Sequence, residues 1–426
     1  MKLAICLAGG GAKGSYEMGC YKALHELKIR PNIVTGTSIG ALIGCLIASD
    51  EFEKAMELNS LMCLEQVMKN GISYDESFES LINQSNRILS FFKQYLHDKG
   101  ADITPFKELI KNSCDEKKLR ESDIDFGCMI VEYPSLNPLA ITKSEMEEGF
   151  LHDYLLASAS CFPAFPIHEF NGKSYVDGGY YDNLPVSLAF EMGADEIIMI
   201  DLNHKKIIHP EYLNRPNITA IIPTQELGNF LDFDRKHLDY NFNMGYYDTL
   251  KAFKKYDGFV YTIKKRRKKS NQFYRIILDA ESHLNQHLIK RKVNVFNPQP
   301  LSDALRTHAR KQDLDEFEYE IAALEICAQI LEIESIKIYD LNQLKKEVIN
   351  SVNLEDIPTF DSFTSIKSLK HLITHASSKQ LLLMITKHLI DHDTFQLEPQ
   401  ALTHLIEKEV VAAIYLTYCL KVDKRH

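Results

Sequence analysis

No run of apolar residues in this 426-residue chain is long enough to cross a bilayer, so a helical membrane span is not expected. Paired CxxC motifs are missing as well. Nine cysteines are scattered along the chain, an odd number, which offers neither a disulfide framework nor a zinc site and suits free thiols in a reducing compartment. Positive charge is in deficit. Lysine and arginine total 49 against 59 aspartates and glutamates, a formal net charge of −10, which argues against nucleic acid as the main partner because phosphate binding favours a basic protein. It leaves membranes open, since a local basic patch can dock an otherwise acidic protein. Internal repeats and low-complexity tracts are not found. What remains, 45% hydrophobic and 25% charged residues, is the composition of a soluble globular chain, and its length suits two domains better than one.

The opening Met1-Lys2-Leu3-Ala4-Ile5-Cys6-Leu7-Ala8 superficially resembles a signal peptide. The patch is too short, stops at Gly9-Gly10-Gly11 and carries no small-residue cleavage pattern. It is expected to be a buried first strand of a protein that begins at Met1 and is made in a cytosol. Strand-like runs follow at Ile33–Thr35, Phe126–Val131, Leu139–Ile141 and Glu196–Leu202, with helical patterns at Ser15–Leu27 and Ile39–Ala48 and an irregular helical stretch from Glu51 to about Ser113. Strands alternating with helices predict an α/β fold, a mostly parallel sheet sandwiched by helices. The character changes at the basic run Lys264–Lys269. Beyond it, Phe273–Val293, Leu314–Ile333, Leu341–Val352, Ser365–Ile373, Ser378–His388 and Pro399–Leu420 read as amphipathic helices. Residues 1–265 are therefore expected to form an α/β domain and residues 270–426 an all-α C-terminal domain: a cap, a partner-binding module or a structural flank.

Three short motifs carry the chemistry. Gly9-Gly10-Gly11-Ala12-Lys13-Gly14 follows a strand and opens a helix. Glycines expose backbone N–H groups, and such a nest at a helix N-terminus stabilises negative charge on a phosphate or an oxyanion. The loop also satisfies GxGxxG, but a dinucleotide site wants an acidic residue at the end of the second strand, where the sequence reads Val34-Thr35-Gly36. A Walker loop is excluded because Lys13 precedes Gly14. A turn that merely packs helix on strand is the bland alternative. Gly36-Thr37-Ser38-Ile39-Gly40 is again strand, turn, helix, the context of a GxSxG nucleophile elbow, against the alternative that Ser38 only caps a helix. Tyr175-Val176-Asp177-Gly178-Gly179, continuing to Asp182-Asn183-Leu184-Pro185, is on its own an ordinary Asp-Gly turn. An acyl-transfer serine needs a base, however, and no histidine is convincingly placed. An aspartate can serve if the site raises its basicity by excluding water.

Taken together, these residues resemble the patatin-like phospholipase family. The likeness extends to Ala157-Ser158-Ala159-Ser160-Cys161-Phe162-Pro163-Ala164-Phe165-Pro166 and Ala194-Asp195-Glu196-Ile197-Ile198, and covers Lys2 to about Val260. It implies a Ser–Asp dyad, hydrolysis of glycerolipid esters by way of an acyl-enzyme, and no metal or cofactor. Carried over residue by residue, Ser38 is the nucleophile and Asp177 the base. The loop Gly9, Gly10, Gly11, Ala12, Lys13 and Gly14 forms the oxyanion hole. Gly36, Thr37, Ile39 and Gly40 shape the elbow, and Gly178 and Gly179 the base loop. Cys161 departs from the small residue usual in the family.

The expected substrate is a phospholipid or other acyl-lipid, met by a cytoplasmic protein in peripheral contact with membranes, with a protein partner conceivable through the C-terminal helices. Export as an effector by a machinery that reads no cleavable signal stays open. A catalytically idle binding protein of the same fold is the alternative. His168 is expected to be a surface residue before the Asn171-Gly172 turn. Asp182 and Asn183 are expected to fix the loop after Asp177 and cap the helix near Pro185. Phe91, Phe92 and Tyr95 could face lipid or pack a helix, and Lys264–Lys269 could attract anionic headgroups or simply connect the domains.

Overall fold

The computed structural model describes residues 1–68, 102–265, 272–290, 299–355, 357–358, 375–395 and 405–423. Phe91, Phe92, Tyr95, Ser365–Ile373 and Arg266–Lys269 lie outside them. The chain divides into two compact units, Met1–Phe253 and Lys254–His426.

The first unit is built on an eight-stranded sheet. Its strands are β1 (Leu3–Leu7), β2 (Ile33–Thr37), β3 (Asp125–Tyr133), β4 (Asn137–Thr142), β5 (His168–Phe170), β6 (Lys173–Asp177), β7 (Glu196–Ile200) and β8 (Ile218–Ile221). The order is β5-β6-β3-β2-β1-β7-β8, with β4 paired to β3 off this path. β3, β2, β1, β7 and β8 run parallel, whereas β4, β5 and β6 pair antiparallel. The opening apolar patch is thus a central strand, β1, buried from Ala4 to Leu7. Continuous apolar strands need cover on both faces. Helix α2 (Ile39–Ala48), buried along its whole length, supplies one side, where Gly44 lies against Val34, Phe126 and Leu7. The helix Val186–Glu191 supplies the other, with Leu188 beside Gly127. Phe126 and Gly127 are successive strand residues and so point to opposite faces.

Helix α1 (Gly14–Glu26) packs against the helix Arg235–Ala252, and Tyr16 Oη donates to Asp248 Oδ2 at 3.0 Å. That second helix and β8 were not legible as elements. The inward residues of Arg235–Ala252 include Asn241, Gly245, Asp248 and Thr249, which mask the apolar periodicity that marks a helix.

The second unit gathers the helices Gln272–Lys290, Pro300–Ala309, Glu316–Ile330, Leu341–Asn350, Ser378–Asp391 and Glu407–Asp423 around its own core. Tyr261 and Ile263, ahead of the basic run, are buried in that core. Thr262–Ile263 and Ile338–Tyr339 pair as two-residue parallel strands β9 and β10, a small addition to the expected helical content. Glu325, fully buried, accepts the N–H groups of Phe259, Val260 and Tyr261 at 2.9, 2.9 and 3.2 Å. A capping box of Asp315 and Glu318 starts the helix that carries it.

Candidate active site

β2 ends at Thr37, and the chain turns at once into α2. Ser38 occupies the turn with φ 58° and ψ −125°, a sparsely populated conformation for a residue with a side chain. The flanking glycines make the turn possible. A Cβ on Gly36 would lie 2.2 Å from the Gly40 carbonyl oxygen, and one on Gly40 would lie 2.6 Å from that of Ala8. Ser38 stands at the N-cap position of α2, yet its side chain makes no capping hydrogen bond. Its hydroxyl is therefore not engaged in capping.

Asp177 reaches the same place through strand pairing. β2 runs parallel to β3 and ends with Thr37 opposite Met129. β6 runs antiparallel to β3 and ends with Asp177 opposite Ile130. Ile130 pairs with Leu139 of β4 on its other side, so β2 and β6 share one edge of β3 and meet end to end. The residue after one strand and the last residue of the other face each other. Asp177 is 5% exposed; its Oδ1 accepts the Gly179 N–H at 2.7 Å, and it lines the same cavity as Ser38. Burial pushes its pKa up to about 6, against the opposing pull of the Gly179 N–H and, less, of the nearby Ser38 side chain.

The glycine loop lies beside this pair. Four of its six N–H groups are engaged: Gly9 donates to the Asn183 carbonyl at 2.9 Å, Ala12 to that of Phe230 at 2.8 Å, Lys13 to that of Gly10 at 3.2 Å, and Gly14 to those of Gly11 and Ala12. No acceptor among the described residues takes the N–H of Gly10 or Gly11. Gly11 has φ 56°, and a Cβ there would lie 2.3 Å from the Phe230 carbonyl oxygen. Below the loop, buried Glu17 accepts the Ala8 N–H at 2.7 Å, and burial holds its carboxyl well above the usual carboxylate range. Ser38, Asp177, Gly10 and Gly11 open on one cavity of about 290 Å³, near the lower end for small-molecule sites. Its walls are mainly apolar, including Ala164, Phe165, Phe230, Leu231 and Phe233. Cys161 lines it too; burial and then the Asp177 charge push its thiol up to about 11, so it is neutral.

Residues 5–190, which contain all of these groups except the cavity wall from Phe230 to Phe233, match the family described as Patatin-like phospholipase. Residues 5–190 are a patatin-like phospholipase domain. Lysophospholipase NTE1 of Mycosarcoma maydis is 28% identical over 210 residues, covering 47% of this chain and 10% of that protein. Patatin-like phospholipase domain-containing protein 7 of Rattus norvegicus is 27% identical over 208 residues, covering 48% of this chain and 14% of that protein. The chain thus matches only a small part of these curated relatives. Among solved structures, VipD from Legionella pneumophila aligns over 98% of this chain and 90% of its own at 13% identity, with a TM-score of 0.40.

Around the site, two expectations need revision. His168 is not a surface residue: its side chain is 11% exposed, its Nε2 lies 2.9 Å from Asp153 Oδ1, and its ring packs near Phe170. Asn183 and Asp182 do not cap the helix at Val186, whose N-cap, Pro185, has no side-chain partner. Asn183 Nδ2 instead donates to the Gly9 carbonyl at 2.9 Å, tying the loop after Asp177 to the glycine loop. Asp182 Oδ1 accepts the Leu184 N–H at 3.0 Å, and the Asp182 carbonyl accepts the Thr37 hydroxyl at 2.9 Å. His209 approaches Asp182 at 3.3 Å, but no histidine among the described residues lines the cavity. Ser158 was not singled out by its chemistry, although its hydroxyl accepts the Ser38 N–H. Only its place in an Ala-Ser-led segment marked it.

Proposed function

We propose that this chain is a lipid acyl hydrolase of the phospholipase A kind, cleaving glycerolipid esters through a Ser38–Asp177 dyad and an acyl-enzyme intermediate. The observation that carries the reading is a buried carboxylate, its pKa pushed up to about 6, that opens on the same cavity as Ser38. Such a group is ionised at pH 7, yet far more basic than an exposed aspartate, as a general base should be. Asp177 takes the hydroxyl proton as Ser38 Oγ attacks the ester carbonyl carbon. Negative charge then gathers on the carbonyl oxygen, for which Gly10 and Gly11 are the loop N–H donors that have no acceptor among the described residues. Losing one such donor typically costs about 3 kcal/mol of transition-state stabilisation. The proton on Asp177 passes to the departing alcohol, and water, deprotonated by the same carboxylate, releases the fatty acid and restores Ser38.

Apolar walls suit an acyl chain. Tyr180 and Phe230, 56% and 40% exposed, line the cavity as well, which supports peripheral contact with a lipid surface. No helix among the described residues is long and apolar enough to cross a membrane. The test is incubation with mixed phospholipid vesicles and with lysophospholipid micelles, followed by mass spectrometry of the products. Wild type should release fatty acid and Ser38→Ala should not. Equal release by the variant would end this reading.

A further inference from the structure

We propose that Ser158 is a positioning residue, which holds Ser38 in its reactive backbone conformation as part of a clasp, residues 158–160, that fastens both members of the dyad. The inference rests on the function proposed above and adds a role for a segment which that function leaves unused. Ser158 ends the helix Leu151–Ser158 and is fully buried. Its hydroxyl makes two bonds: Oγ accepts the Ser38 N–H at 2.9 Å and donates to the Met129 carbonyl at 2.7 Å. Met129 is the β3 residue opposite Thr37, next to Ile130 opposite Asp177, so the bond is anchored where the two strand ends meet. Two residues on, the Ser160 carbonyl accepts the Asp177 N–H at 2.9 Å, while Ser160 Oγ donates to the Leu156 carbonyl at 2.8 Å and closes its own helix end. Ala159 and Cys161 line the cavity, whereas Ser158 and Ser160 do not.

The physical need is specific. A residue at φ 58° stays there only when its surroundings over-determine the conformation. At the start of α2 the Ser38 N–H has no intrahelical acceptor. A hydroxyl can accept from Ser38 and donate to Met129 at once; a methyl leaves a buried N–H and a buried carbonyl both unpaired. Ser158 therefore acts through Ser38 without touching substrate, and its loss should appear in the chemical step more than in binding.

The experiment compares Ser158→Thr with Ser158→Val, which match in shape and differ in the hydroxyl, and adds Ser158→Ala in case a larger side chain does not fit. Each full-length variant is assayed with a small fluorophosphonate, from which Ser38 Oγ displaces fluoride as its proton passes to Asp177, and with a short soluble ester. Ser158→Val and Ser158→Ala should fold and lose about 100-fold in labelling rate and kcat, the scale of a small misplacement of reacting groups. KM and the pH midpoint should hold, and Ser158→Thr should recover most of the rate. Labelling of Val and Ala variants at the wild-type rate would overturn the clasp alone. Variants that fail to fold would make Ser158 a folding residue and overturn it too. Wild type that does not label at Ser38 would instead remove the proposed function and this inference with it.

Discussion

Asp177 carries its charge at a free-energy cost, and two consequences follow at the scale of one residue. Its carboxylate is nearly sealed from water and titrates at about 6. In the proposed mechanism turnover needs the ionised form, so kcat/KM for a short soluble ester should rise through a midpoint near pH 6 and then level, reporting the free enzyme. A midpoint near that of an exposed aspartate would contradict the burial argument. Stability should move the opposite way. The folded-state value of about 6 lies above the ordinary 3.8, so the folded chain binds this proton more tightly than the unfolded chain. That contribution is fully present below about pH 4 and lost as pH rises through about 6. Asp177→Asn, which keeps an oxygen for the Gly179 N–H, should therefore be more stable than wild type at pH 8 by up to about 3 kcal/mol. The gap should close below about pH 4. Urea unfolding at the two pH values measures it, and a variant that is less stable at pH 8 would mean that the lost hydrogen bonds outweigh the relieved desolvation.

At the scale of elements, the elbow depends on the close approach of β2, α2 and β1. Gly36→Ala would drive a methyl group against the Gly40 carbonyl, 2.2 Å away. It should destabilise the unit by about 1–3 kcal/mol, as overpacking does, and slow fluorophosphonate labelling of Ser38. A denaturant midpoint equal to wild type would show that the turn has room to spare. The elbow and the glycine loop were legible because their signals are local: an apolar strand, glycines at fixed spacing, then a helix. Asp177 was legible as a residue, and its pairing with Ser38 only as what the family resemblance implies. Their meeting depends on β6 turning antiparallel to continue the edge of β3 that β2 leaves, and long-range pairing of that kind has no local signature. The choice of free N–H groups was hidden for the same reason, since the Asn183 and Phe230 carbonyls that engage Gly9 and Ala12 come from distant loops. The helix Arg235–Ala252 escaped because polar residues occupy much of its inward face.

For the whole molecule, the helical unit should be a true core and no tail. Leu324 is fully buried there, and Leu324→Ala should cost about 2–5 kcal/mol, read as a lowered unfolding midpoint. An unchanged midpoint would mean that this core contributes little to the stability of the chain. In the catalytic cycle proposed here, each transferred proton and each developing charge is assigned to a protein group, so a chelator should leave ester hydrolysis unchanged. Activity restored only by added metal would require another mechanism. The most direct test of the central claim is a double-mutant cycle on steady-state ester hydrolysis, comparing wild type, Ser38→Ala, Asp177→Asn and the double variant under identical conditions. Two groups that act as one unit should each nearly abolish turnover alone, with the double variant little worse than either single. Losses that simply multiply, or a Ser38→Ala variant that still turns over, would contradict the dyad.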